Sequence, residues 1–114
     1  MEISDKNEIL DLLSVAYNKT NYLRILCNEQ GDSEGAAKLK KRKNRLRLEI
    51  DELLEDLYQQ WIGEANQLKN EINNANEDLK KSIEDIEQKV NTAQNIVNAI
   101  GYIDKVIEIA SKAL

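Results

Sequence analysis

From Leu46 to Val97 an apolar or small residue recurs about once per helical turn: Leu46, Ile50, Leu53, Leu57, Trp61, Ala65, Leu68, Ile72, Ala75, Leu79, Ile83, Ile86, Val90, Ala93 and Val97. The steps average roughly 3.6 residues, the repeat of an unstrained α-helix rather than the 3.5 of a heptad seam. Two runs of 4-4-3 spacing, Leu57-Trp61-Ala65-Leu68 and Ala75-Leu79-Ile83-Ile86, raise the average and predict nearly straight packing. Upstream, Ile9, Leu13, Ala16, Thr20, Leu23 and Cys27 mark one face of a separate helix, with Leu12, Tyr17 and Leu26 beside it. Toward the C-terminus the pattern widens. Ile96, Val97, Ile100, Tyr102, Ile103, Val106, Ile107, Ile109 and Leu114 leave only a sector of Gly101, Asp104, Lys105, Glu108 and Lys112 polar. So wide an apolar arc belongs at the centre of a bundle or against a partner.

The punctuation divides these faces into helices. Asp5 with Glu8 resembles a capping box and starts helix 1, about residues 5–29. Asn28-Glu-Gln-Gly-Asp-Ser-Glu-Gly35 reads as a loop over about 29–35, with Asp32 or Ser33 as the next N-cap. Helix 2 then extends over about 36–72. Asn73-Asn-Ala-Asn76 is the favoured break, because Asn74 and Glu77 stand as an N-cap and its partner three residues on. Gly63 marks a competing break at 62–63. Helix 3 occupies about 76–113, with Gly63 and Gly101 as candidate kinks. The pattern thus predicts an all-α chain, one domain over 1–114. Its architecture is a three-helix antiparallel bundle, or long helical hairpin, with coiled-coil-like packing. Helix 1, at about 25 residues against about 37 for each of the others, leaves part of the hairpin uncovered. A homodimer or a larger protein complex is therefore expected.

Composition narrows the chemistry. The 114 residues contain no His, no Pro and no Phe, with one Trp and four Gly. Without His the commonest general base and metal ligand are missing, and the usual Glu-x-x-His di-metal constellation of helix bundles cannot form. No nucleophile–base pair, glycine-rich phosphate loop or zinc spacing occurs. The expectation is no enzyme, no cofactor and no metal. The single cysteine, Cys27, sits on the apolar side of helix 1 and reads as a buried inert thiol. The acidic start MEISDKNEIL lacks a secretory pattern, and no run approaches the ~20 apolar residues of a membrane span. A cytoplasmic setting is expected.

Charge changes the picture most. The net charge is −5, yet Lys38, Lys40, Lys41, Arg42, Lys43, Arg45 and Arg47 fall within ten residues. Acids dominate both flanks, and Glu49, Asp51, Glu52, Glu55 and Asp56 follow at once. The seven cations are candidate anion or nucleic-acid contacts, since a basic helix displaces counterions from phosphates. Comparison with leucine-zipper transcription factors finds Ala36-Ala37 followed by Lys41 and Lys43 in the small-pair-then-basic pattern. Ser33 stands where the base-reading Asn belongs, however, and the leucine ladder fails at Glu64.

The bland alternative makes the run a solvated helix end, or an intramolecular partner for acidic faces of the other helices. Tyr58, Trp61, Ile62, Ile96, Ile100, Ile103, Ile107 and Leu114 are the candidate partner or oligomer interface, with core packing as their competing role. The leading expectation is a non-enzymatic helical protein–protein interaction module, an adaptor or scaffold subunit that self-associates. The alternatives are a small nucleic-acid-binding or regulatory protein using residues 38–47, and a membrane-associating helical hairpin using the apolar C-terminal helix. Membrane association is the weaker, because the polar sector of that helix carries as many acids as bases.

Overall fold

A computed structural model describes residues 3–55 and 65–113. Among these residues the chain is all-helical, with four α-helices: α1 (Ile3–Glu29), α2 (Ser33–Glu55), α3 (Ala65–Glu87) and α4 (Thr92–Ala113). Helices α1 and α2 form one antiparallel hairpin and α3 and α4 another, each across a tight turn. The hairpins then pack side by side, α1 on α3 and α2 on α4, with α1 and α4 also touching across the centre. Between hairpins the neighbours run parallel. Lys69 of α3 meets Asp5 and Glu8 near the start of α1, and Asn76 reaches Leu12 further along. Arg42 meets Asp104, and Ser111 meets Glu49, in the same sense between α2 and α4. The result measures 44 × 21 × 17 Å.

One core runs the length of the bundle. Ile9, Leu13, Ala16, Leu23 and Cys27 enter it from α1, and Leu39, Leu46 and Leu53 from α2. Helix α3 contributes Leu68, Ile72, Ala75, Leu79, Ile83 and Ile86, and α4 contributes Ile96, Ala99, Ile103, Val106, Ile109 and Ala110. Each large aliphatic side chain removed from water contributes about 2 kcal/mol against the conformational entropy of ordering the chain. Thr20 is buried on the same face of α1, its hydroxyl donating to the Ala16 carbonyl at 2.7 Å. Much of the wide apolar arc of α4 is covered by its contact with α3, α2 and α1 together, Val97 being left 63% exposed.

Both described turns follow the Schellman pattern, in which a left-handed residue just past the helix lets two amides close back on the last turn. After α1, Gly31 (φ 80°) takes that place. Its N–H donates to the Asn28 carbonyl at 3.1 Å, and the Asp32 N–H to Cys27 at 2.8 Å. Asp32 then caps α2, its Oδ1 accepting the Gly35 N–H at 2.8 Å. The capping carboxylate leans so close to Gly35 that a Cβ there would collide with it. After α3 the same bonds form around Lys89 (φ 60°): Lys89 N–H to Ile86 at 3.0 Å and Val90 N–H to Asp85 at 2.8 Å. Asn91 (φ 43°) follows, and its carbonyl accepts the Asn95 N–H at 2.9 Å.

These turns correct the expected helix order. Among the described residues there are four helices rather than three, and the break at 73–76 is absent. Helix α3 passes straight through Asn73–Asn76 because Asn76 is a core-facing residue, donating from Nδ2 to the Leu12 carbonyl at 3.0 Å, while Asn73 and Asn74 are exposed. The turn lies instead at 88–91, so the expected helix over 76–113 is the end of α3 plus α4. A helix over 36–72 is excluded too, because α3 runs opposite to α2. The alternative break at 62–63 lies outside the described residues. Helix α2 begins at Ser33, which shortens the expected loop over 29–35, and α4 continues through Gly101 without interruption. Helix α1 is the longest of the four, at 27 residues, which removes the length mismatch from which an uncovered face was expected.

Candidate functional site

The seven cations of α2 wrap around the helix rather than forming one stripe. At 100° per residue, Lys40, Lys43 and Arg47 fall on one flank, and Lys38, Lys41, Arg42 and Arg45 on the other. Four of them are held within the chain. Lys38 pairs with Glu34 at 3.4 Å, Arg42 with Asp104 at 3.1 Å, Arg45 with Glu49 at 2.7 Å and Arg47 with Asp51 at 3.8 Å. Lys40, Lys41 and Lys43 make no ion pair among the described residues. Beside them, Arg24, Asn28, Ser33, Ala36, Ala37 and Lys40 border a shallow cleft of about 280 Å³ between α1 and α2. Arg24 there hydrogen-bonds the Asn21 side chain, at 3.2 and 3.0 Å.

Glu49 has a different setting. Its side chain is 1% exposed, in phase with Leu46 and Leu53, and Oε1 accepts from Arg45 and from the Ser111 hydroxyl at 2.9 Å. Its Oε2 is buried and, among the described residues, without a hydrogen-bond partner, as is Asn76 Oδ1. Burying a carboxylate is costly unless its oxygens are satisfied, so Glu49 is a stability liability in the α2–α4 seam.

The α1–α3 side carries an apolar line that sequence reasoning missed. Val15, Tyr22 and Ile25 are 41%, 47% and 41% exposed, on the face of α1 turned away from the Ile9–Leu13–Ala16 core stripe. Half-buried Leu12 stands next to them. The groove between α1 and α3 opens into two hollows, one after the other along its length. One of about 620 Å³ is bordered by Glu8, Asp11, Leu12, Val15, Lys69 and Asn70, and one of about 350 Å³ by Asn18, Lys19, Tyr22, Lys80, Ile83 and Glu84. The signal was legible in the spacing of Val15, Tyr22 and Ile25, a second apolar line on a helix that already had one.

Charge on this face is fixed at its ends. Lys69 donates to Glu8 at 2.7 Å and to Asp5 at 2.9 Å. Those bonds raise its pKa above the usual lysine range, against a smaller opposing effect of desolvation. Tyr22 is shifted up as well, first by desolvation of its hydroxyl, then by its hydrogen bond to Glu87 and the negative charge of Glu87 and Glu29. Between these ends, Asp11 and Lys19 make no ion pair among the described residues.

The expected interface residues separate into three groups. Ile96 and Ile103 are buried in the core, and Ile100 and Ile107 are half-buried against it. For Ile96 and Ile103, packing within the chain uses the surface that a partner was expected to cover. Tyr58, Trp61, Ile62 and Leu114 lie outside the described residues. Among the described residues no group of His, Cys, Asp and Glu side chains could hold a metal ion, and no helix is long and apolar enough to cross a membrane. No family model, curated protein or solved structure matches the chain.

Proposed function

We propose that this chain is a non-enzymatic helical protein–protein interaction module, an adaptor or scaffold subunit of the cytoplasm, working through the α1–α3 face. The observation that carries the reading is the exposed line of Val15, Tyr22 and Ile25, with half-buried Leu12 and the two hollows beside it. Val15, Tyr22 and Ile25 are outside the core, and an apolar line beside concave surface fits the apolar edge of another helix. Glu8, Asp11, Lys19 and Lys80 around the line set orientation and partner choice more than affinity.

A second reading is supported by one observation. Lys40, Lys41 and Lys43 lack ion-pair partners among the described residues, and Lys40 shares its cleft with Arg24. Those groups suit phosphate contact, though the other four cations of the run are already paired and the chain is acidic overall.

Affinity capture of a defined binding protein separates the two. With Val15→Asp and a Lys40, Lys41 and Lys43→Gln triple variant as baits, the interaction reading predicts binding that survives high salt and nuclease. That binding is lost in Val15→Asp and kept in the triple variant. Binding that is lost to nuclease, to salt and to the triple variant, while Val15→Asp retains it, identifies the basic helix as the functional element.

A further inference from the structure

We propose that the groove between α1 and α2 is a nucleic-acid contact site, in which Arg24, Lys40, Lys43 and Arg47 hold successive phosphates of a strand without reading its bases. This site rests on the second reading above, phosphate contact by the basic helix, and is independent of the α1–α3 face. The fold divides the seven cations of α2 by flank. Toward α4, three of four are matched within the chain: Arg42 by Asp104, Arg45 by the buried Glu49 and Lys38 by Glu34. The flank toward α1 is left open. Lys40, Lys43 and Arg47 lie within about 60° of one another, in line with Ala36, which shares the 280 Å³ cleft with Arg24 and Lys40. Lys40 and Lys43 make no ion pair among the described residues. Arg47 reaches Asp51 at 3.8 Å with both side chains more than half exposed, a contact worth little.

The facing helix brings no acid and adds a cation. Residues 14–28 of α1 and 35–48 of α2 contain no Asp or Glu, in a chain whose net charge is −5. At the turn, Asp32 is engaged with the Gly35 N–H and Glu34 with Lys38. Arg24 stands outside the basic run and joins it only through the fold. Its side chain is half-buried and aimed by the Asn21 amide oxygen, which accepts from Nε at 3.2 Å and Nη2 at 3.0 Å. That acceptor is neutral, so it orients the fork and leaves the charge unmatched. Lys43 is half-buried too. Partly desolvated cations without a counter-charge are costly, and an anion from outside relieves the cost. From Lys40 to Arg47 the row rises about 10 Å, the length of about three nucleotides of a strand. A row of that length suits a polyanion rather than one small anion, and it meets the backbone, which carries no sequence information.

The test is fluorescence anisotropy of the full chain with a labelled oligothymidylate of about 15 nucleotides, and with a duplex of that length. Binding of either is expected at about 50 mM salt. For the single strand, four phosphate contacts predict an affinity about 50-fold lower at about 200 mM. Arg24→Gln is expected to weaken binding about fivefold, and Lys40→Gln with Lys43→Gln about tenfold or more, each lost charge lowering the salt slope by about one. Arg24→Lys, which keeps the charge, is expected to retain most of the affinity and so separates loss of charge from loss of fold. Lys38→Gln, on the matched flank, and Val15→Asp, on the other face, are expected to stay within about twofold of the wild type.

No binding of either oligonucleotide at about 100 µM chain, or binding to phosphatidylserine vesicles alone, overturns the proposal. Equal losses in Lys38→Gln and Arg24→Gln also overturn it, because they indicate diffuse attraction without a groove. If the Lys40, Lys41 and Lys43→Gln triple variant loses binding while Arg24→Gln and Arg47→Gln keep it, the groove fails and phosphate contact by the basic helix stands. If the triple variant keeps it as well, both fail.

Discussion

At the scale of single residues, the most informative side chains are polar ones in apolar positions. Glu49 occupies a core position with one oxygen paired and the other unpartnered, while its cation, Arg45, is half in solvent. The two ends of this pair therefore respond oppositely to removal. Glu49→Met leaves Arg45 free to hydrate and fills the seam with apolar atoms, and is expected to stabilise the fold by about 1–3 kcal/mol. Arg45→Ala strands the carboxylate and is expected to destabilise by about 2 kcal/mol or more. Urea unfolding of the two variants checks the signs; a destabilised Glu49→Met would mean that the carboxylate is better satisfied than its contacts indicate.

Cys27 gives a pH prediction. Burial, and secondarily the negative charge of Asp32, push its thiol up to about 11 from the ordinary value of 9.0. Between those values the unfolded chain has released the proton and the native chain still holds it. The native state binds more protons there, so this residue makes stability fall as pH rises from about 9 to 11. Urea midpoints across that window are expected to fall less steeply in Cys27→Ala than in the wild type. At neutral pH the native thiol is expected to resist alkylation until the chain unfolds, because the thiolate is the reactive form.

At the scale of elements, the two turns show what a sequence conveys and what it hides. The first turn advertises itself. Gly31 takes the left-handed position at no steric cost, and Asp32 caps the next helix as expected. The second turn has the same hydrogen bonds, but Lys89 and Asn91 hold the left-handed positions, and neither Gly nor Pro marks the site. The apolar phase also continues across it through Ile86, Val90 and Ala93, although Val90 is 46% exposed in the turn itself. At Asn73–Asn76 the error ran the other way, since residues that suit a cap are carried mid-helix by the Asn76 contact to α1.

The stripe was legible over most of its length: Leu46, Leu53, Leu68, Ile72, Ala75, Leu79, Ile83 and Ile86 are core residues and Ile50 and Ala65 are half-buried, whereas Val90, Ala93 and Val97 are exposed, and Leu57 and Trp61 lie outside the described residues. The candidate surface was less so, because the spacing of Val15, Tyr22 and Ile25 says that they share a side of α1 but not that the side is left uncovered. The Lys89 position yields a direct prediction. Lys89→Gly removes the left-handed strain of a residue with a Cβ and is expected to stabilise the fold by about 1 kcal/mol. A shift of the thermal or urea midpoint checks it, and a loss of stability would contradict the turn geometry.

At the scale of the whole molecule, the two hairpins give a bundle whose four helices bury one another's apolar faces. What remains outside includes the basic surface of α2, more than half of it neutralised within the chain, the single exposed side chains of Leu48, Leu54, Val90 and Val97, and the apolar line of α1 beside the α3 groove. The functional account depends on that last surface. Its most direct test is site-specific photo-cross-linking in intact cells from position 15, with position 97 as a more accessible control on the opposite hairpin. The account predicts a discrete adduct from position 15, either with a second copy or with one other protein, and none from position 97. Adducts from position 97 alone, or from neither position, would contradict it.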